Sequence, residues 1–265
     1  MNSIFKKNIA VFTGGGSRGV AQLGMYKAAL DSGVTFDGFV GASAGALNSA
    51  ALSIDPGYET IKKLYKLYSN FESGVNDSAP FKIAKFLLTG KIGNEKKLDK
   101  MLSFIDGRKI EEGLKPLIIV TTRLSDLESV SWSQGDLKST LLASTAIPGV
   151  YPPVLLEDGF YHTDGGVTNL IPISNAYSFF KNCNYYLFDV TSDYDFQSTM
   201  SSLELLKYIS TKTSQKESVA KLKRYKVKEH IKLPKPFSEI DPLKFEYSEQ
   251  LINIGYKVAK YKFEN

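Results

Sequence analysis

The first 54 residues contain one arrangement twice: a short apolar run, a tight turn of small residues, then a helical stretch. NIAVF (8–12) leads into TGGGSRG (13–19) and on to VAQLGMYKAALDSG; FDGFVG (36–41) leads into the turn at Ser43 and on to AGALNSAALS (44–53). Apolar runs of five or six residues bounded by turn residues read as buried strands, and the longer segments after them as helices, with Gly33 as a helix stop. Strand, turn and helix twice in tandem leave few options beyond parallel strands with helices packed on the sheet. The expected fold class is therefore α/β, a three-layer α/β/α sandwich around a mostly parallel sheet. A chain of 265 residues is long enough to complete it around one core.

The rest of the chain extends this plan. Residues 55–115 are Lys- and Tyr-rich, with interruptions at Gly74, Pro80 and Gly90, and read as a lid or substrate-binding excursion over one end of the sheet. PLIIVTTRL (116–124) reads as a strand that SVSWSQ (129–134) can pair with. The stretch 141–154 begins as a helix and is stopped by Pro148, Pro152 and Pro153. GFYHTDGGVTNLIP (159–172) reads as a strand running into a Gly turn, NYYLFDVTS (184–192) as the last strand, and 201–228 and 245–263 as helices. With no repeat, low-complexity tract or linker, 1–265 is expected to form a single domain.

Two turns carry chemistry. Gly41-Ala42-Ser43-Ala44-Gly45 is a G-x-S-x-G pattern placed between a predicted strand and a predicted helix. That is the setting of a nucleophile elbow: small neighbours let a strained turn close, and the helix N-terminus favours a developing negative charge. Gly14, Gly16 and Gly19 also match G-x-G-x-x-G, the dinucleotide-binding fingerprint, with Asp37 as a candidate ribose ligand. Such an acid should end the second strand, however, and Asp37 begins it; the strand's end is taken by Ser43. Three consecutive glycines suit another use, a loop that bares its amides to an anion. The loop of Gly14, Gly15, Gly16, Arg18 and Gly19 together with Ala44 is thus the expected oxyanion hole. Gly15, Gly16 and Ala44 would supply N–H donors, and Arg18 would hold the loop or add positive charge. In a parallel sheet both turns fall at the carboxyl ends of adjacent strands, where α/β sites form.

A serine nucleophile needs a base, and the chain has two histidines, His162 and His230. His162 lies two residues before Asp164, and two positions on one short strand do not easily put an imidazole between serine and aspartate. His230 sits among charged residues late in the chain. Both read as bystanders. Asp164, followed by Gly165 and Gly166, has an uncrowded carboxylate on a sharp turn. A carboxylate within about 2.6–3.2 Å of a serine Oγ can take its proton directly, provided it acts in concert with attack or burial raises its pKa. By itself a D-G-G is a plain turn; what favours a Ser43–Asp164 dyad is the shortage of other bases.

These three ordered motifs, with ASTAIPGVYPPV before the aspartate and Asn169 and Pro172 after it, resemble the patatin-like phospholipases. The resemblance runs from about residue 8 to 259 and is weakest over 55–115 and 190–245. It implies a Ser–Asp dyad that hydrolyses acyl esters of phospholipids or related lipids through an acyl-enzyme, with no metal or other cofactor. Alternatives on the same fold are a transacylase or a non-lipid esterase; from a different class, a nucleotide-binding or catalytically silent protein.

Composition narrows the partners. The net charge is +5, with lysines concentrated over 82–100 and 207–235. Nothing resembles a nucleic-acid module, which leaves solvated helix faces or attraction to an anionic lipid surface. Ile61, Leu64, Tyr65 and Tyr68 share one helical face, and Phe81, Ile83, Phe86, Leu87 and Leu88 form an apolar cluster among lysines. Each either packs on the sheet or meets a bilayer interface. No apolar run reaches the roughly 18 residues of a membrane span, the N-terminus lacks the features of a signal peptide, and Cys183 is the one cysteine. The expectation is a cytoplasmic protein with peripheral membrane contact, signal-independent export remaining open.

Overall fold

The first strand, β1 (Asn8–Phe12), is buried from Ile9 onward. Its side chains alternate between two apolar clusters. Ile9 and Val11 join Val40, Ile118, Val120 and Leu187 on one side of the sheet; Phe12 joins Phe39, Ile119 and Phe188 on the other. A parallel strand covered on both faces must be apolar at every position, which is why the continuous runs in the sequence mark the centre of the sheet. The structure is a computed structural model that describes residues 6–71, 102–192 and 202–264.

The 3-10 turn Gly16–Arg18 links β1 to α1 (Gly19–Asp31). β2 (Gly38–Ala42), α2 (Ala44–Ile54) and α3 (Tyr58–Asn70) follow. Next come β3 (Leu117–Arg123), β4 (Ser129–Trp132), α4 (Leu137–Ser144), β5 (Val154–Leu155) and β6 (Tyr161–Asp164). The chain continues through α5 (Ile173–Phe179), β7 (Asn184–Asp189), α6 (Ser202–Leu222), β8 (Glu229–Lys232) and α7 (Ser248–Glu264). The sheet is paired β5-β6-β3-β2-β1-β7-β8, with β4 also on β3. The β1–β2, β1–β7, β2–β3 and β7–β8 pairings are parallel; β4 and β6 run antiparallel to β3, and β5 antiparallel to β6. Residues of α1, α2, α3, α4 and α7 pack on the Phe12 side, and Ile173 and Ala176 of α5 with Leu222 of α6 on the Val11 side. This is the three-layer α/β/α arrangement the tandem units imply.

One detail of register positions the site. Val120 of β3 pairs with Ala42 of β2 on one flank and Ser131 of β4 on the other. The next residue, Thr121, pairs with Val130 of β4 and with Asp164 of β6. Since β4 keeps its flank, β2 and β6 must share the opposite one, end to end. β2 stops at Ala42 and β6 arrives from the other direction and stops at Asp164. The residue after β2 is Ser43.

Two expectations are corrected and one open alternative is decided. β7 is not the last strand: β8 adds to the edge, and its Glu-His-Ile-Lys pattern, with only Ile231 fully buried, lacks the apolar run that marks the central strands. The stretch 159–172 is a strand running into a Gly turn, as expected, and α5 begins directly after it. α4 starts at Leu137, capped by Asp136, whose side chain accepts from Ser139 N–H. Finally, the apolar face of α3 is core: Ile61, Leu64 and Tyr68 are buried and Tyr65 packs against them, so that face is not available to a bilayer. The Phe81–Leu88 cluster lies outside the described residues.

Candidate active site

Ser43 sits between β2 and α2 with φ 56° and ψ −129°, a conformation that costs a non-glycine residue about 1–3 kcal/mol and persists only where its surroundings enforce it. They do so here. The Ser43 N–H donates to Ser144 Oγ at 3.0 Å, and Ser144 in turn donates to the Val120 carbonyl at 2.7 Å. Gly41 lies within β2 opposite Phe12, and a Cβ on Gly45 would stand 2.4 Å from the Phe12 carbonyl oxygen, so the helix after the elbow rests directly on the neighbouring strand.

The Ser43 hydroxyl donates to Asp164 Oδ2 at 2.7 Å. The other carboxylate oxygen, Oδ1, accepts from the Gly166 N–H at 2.7 Å, across the 3-10 turn that begins at Gly165. Asp164 is held by its backbone as well. Its N–H donates to Ala146 O at 3.1 Å, and its carbonyl accepts from Thr122 Oγ1 at 2.9 Å. Residues 144–146 therefore act as a spacer, with Ser144 fixing the elbow and Ala146 fixing the end of β6. Burial pushes the Asp164 carboxyl up to about 6, against the pull of the hydrogen bonds from Ser43 and Gly166. That makes it a far better proton acceptor than an exposed aspartate.

The Gly loop is pinned rather than free. Gly14 N–H is committed to Leu170 O at 3.0 Å, and Ser17 N–H to Pro242 O at 2.7 Å. Gly19 N–H closes the 3-10 turn onto Gly16 and Ser17 carbonyls. Gly16 has φ +58°, and a Cβ there would sit 2.2 Å from Pro242 O, so only glycine fits. Arg18 is buried and donates from Nη1 to Ser238 O at 2.7 Å and Ile240 O at 3.3 Å, and from Nε to Gly15 O at 3.3 Å. Of the six residues expected at an oxyanion hole, Gly14, Arg18 and Gly19 thus hold the loop together. The N–H groups of Gly15, Gly16 and Ala44 are the ones not donated to any described residue.

Neither histidine reaches Ser43. His162 is buried, with Nδ1 2.9 Å from Thr121 Oγ1 and Nε2 3.0 Å from Asp158 Oδ2; Trp132 Nε1–H donates to the same threonine oxygen at 2.8 Å. His230 faces Asp189 at 2.9 Å.

Beside Ser43 opens an apolar cavity of about 560 Å³, counting the part open to solvent. Leu47, Tyr68, Ile147, Tyr151, Leu243 and Phe245 are among its lining residues, with Gly16 and Ala44 near the serine. The sequence motifs do not reveal Ser144, Ala146 or the 238–245 segment. The first two lie in a stretch singled out for its helix start, its prolines and its resemblance, none of which assigns them a role, and the third carries no motif.

The family model for patatin-like phospholipase matches residues 10–177. An uncharacterised NTE family protein of Mycobacterium bovis is 28% identical over 165 residues, 61% of this chain and 27% of that protein. Patatin-like phospholipase domain-containing protein 7 of Rattus norvegicus is 26% identical over 169 residues, 63% of this chain and 12% of that protein. The chain thus spans only a small part of these relatives. Among solved structures, VipD from Legionella pneumophila superposes with a TM-score of 0.47 at 16% identity, covering 94% of this chain and 67% of that one. ExoU, in its complex with SpcU from Pseudomonas aeruginosa, gives a TM-score of 0.36 at 14% identity, over 98% and 53%. With the family match covering well over half of its length, the chain belongs to the patatin-like phospholipase family.

Proposed function

We propose that this protein is a lipid acyl hydrolase that cleaves fatty acyl esters of phospholipids or related lipids through a Ser43 acyl-enzyme. Family membership supports lipid hydrolysis as the class of reaction. The observation that carries the mechanism is the 2.7 Å hydrogen bond from the Ser43 hydroxyl to a buried Asp164, made from a strained elbow. Asp164 accepts the serine proton as Oγ attacks the ester carbonyl. The resulting oxyanion is held by the Gly15, Gly16 and Ala44 N–H groups, a type of contact worth about 2.7–4 kcal/mol per donor in a well-studied hydrolase. The Asp164 proton passes to the departing alcohol. A water then gives its proton to Asp164 and attacks the acyl-enzyme; the Oγ–acyl bond breaks, Asp164 returns the proton to Ser43, and the fatty acid is released. The apolar cavity next to Ser43 suits the acyl chain. An acyl acceptor other than water would make the same site a transacylase. No helix among the described residues is long and apolar enough to cross a bilayer.

Treatment with an organophosphonate followed by peptide mass spectrometry tests the reading. Label on Ser43, lost in Ser43→Ala and strongly slowed in Asp164→Asn, is the expected result. An unlabelled Ser43 in folded protein would refute the hydrolase.

A further inference from the structure

The segment 238–245 lies well beyond the family match, which ends at residue 177, yet it does two things at the site. It holds the Gly loop through four hydrogen bonds: Arg18 Nη1 to the Ser238 and Ile240 carbonyls, Ser17 Oγ to the Asp241 carbonyl, and Ser17 N–H to the Pro242 carbonyl. It also forms one wall of the cavity with Pro242, Leu243 and Phe245. Leu243 packs against the cluster of Ala146, Val150 and Tyr151. Phe245 stacks on Tyr68 at 6.3 Å between ring centres and meets Phe71 edge-on at 4.8 Å. The segment thus forms one side of the cavity between two apolar groups.

We infer that Leu243 and Phe245 are the residues by which this protein selects the acyl chain of its substrate. The inference rests on the hydrolase reading above. Its physical basis is twofold. The cavity wall formed by the described residues is apolar beyond the serine, so it offers burial to an acyl tail. The wall is also tied to the oxyanion loop, so it cannot retreat to admit a larger chain without shifting Ser17 and Gly16. A rigid apolar wall discriminates by volume, and one methylene more or less in such a pocket changes kcat/KM by about 10–200-fold.

The test is a p-nitrophenyl ester series, acetate, octanoate and palmitate, on wild type, Leu243→Trp and Leu243→Ala, each checked for folding by its melting curve. Filling the cavity with tryptophan should cut the octanoate-to-acetate ratio of kcat/KM about tenfold or more; opening it with alanine should move preference toward palmitate. If tryptophan prevents folding, Phe245→Leu joins the alanine variant as the second test. A chain-length profile unchanged in every folded variant would overturn the inference. A second readout is independent of turnover: calorimetric binding of dodecanoic acid to Ser43→Ala should weaken about tenfold when Leu243→Trp is added. Fatty-acid binding that responds to Leu243 in a protein that hydrolyses no ester would sustain the pocket and reject the hydrolase. Hydrolysis with no response to Leu243 would do the reverse.

Discussion

At the scale of single residues, Asp164 carries a cost that its proposed role requires. Its folded carboxyl titrates near 6, against 3.8 for an unperturbed aspartate, because burial disfavours the charge. Below the lower value both folded and unfolded chains hold the proton. Between the two the unfolded chain has ionised and the folded one has not, so stability falls as pH rises through that window and stays lower above it, by about 3 kcal/mol. Asp164→Asn should therefore melt at a higher temperature than wild type at pH 8, and the gain should vanish toward pH 4. Hydrolysis of a soluble ester should show an acidic limb centred near pH 6, because only the carboxylate accepts the serine proton. A flat pH–rate profile down to pH 4 would point to a different base. Ser144 gives a complementary test. It touches neither the proton in transfer nor the cavity, but fixes the Ser43 N–H. Ser144→Ala should lower kcat about tenfold or more with KM little changed, and cost about 1–3 kcal/mol in denaturant unfolding. A fall in stability with kcat intact would make Ser144 a purely structural residue.

At the scale of elements, α3 shows how one pattern fits two environments. Its Ile61, Leu64 and Tyr68 stripe has the spacing of a surface-seeking helix and of a core-facing one, and periodicity cannot choose between them. Packing decides: Leu64 is 1% exposed, and the Tyr68 hydroxyl reaches Asn48 Oδ1 at 3.3 Å. Asn48 also donates to the Gly19 carbonyl and to Gln22 Oε1, both at 2.9 Å, so α3 braces α2 and the start of α1. Leu64→Ala should cost about 2–5 kcal/mol, read as a shifted urea midpoint, and vesicle binding of the folded protein should not change. The elbow, by contrast, was legible as an element. Strand, G-x-S-x-G and helix in that order admit few geometries, and the observed positive φ at Ser43 is the one that order requires.

At the scale of the whole molecule, the part that matches the family model leans on elements beyond it. β1 lies between β2 and β7, with five registered pairs to β7. α1 packs against α7 with almost no separation: a Cβ on Gly24 would sit 2.0 Å from the Ile252 carbonyl oxygen, and one on Gly255 2.1 Å from that of Ala21. A chain ending at residue 180 would lose β7, α6, β8 and α7, expose one side of β1 and α1, and free the Gly loop from Pro242. We expect it to show no cooperative melting transition by circular dichroism. A sharp transition near the wild-type temperature would mean that the C-terminal third is dispensable for folding.

The sequence by itself determined the central strands, the elbow, the Gly loop and the aspartate turn. Each is a local matter: continuous apolar runs have no place but a doubly covered sheet, and turns that need small residues show them. Only the tertiary structure decided what joins these parts. Asp164 meets Ser43 because β3 sets β2 and β6 end to end on one flank, a register that no stretch of either strand encodes alone. The division of labour within TGGGSRG was likewise decided from outside it, by carbonyls of residues more than 150 positions later that engage the Gly14 and Ser17 amides and the Arg18 side chain. Backbone carbonyls occur at every residue, so a contact made through them leaves no signature in the side chains that a sequence spells out.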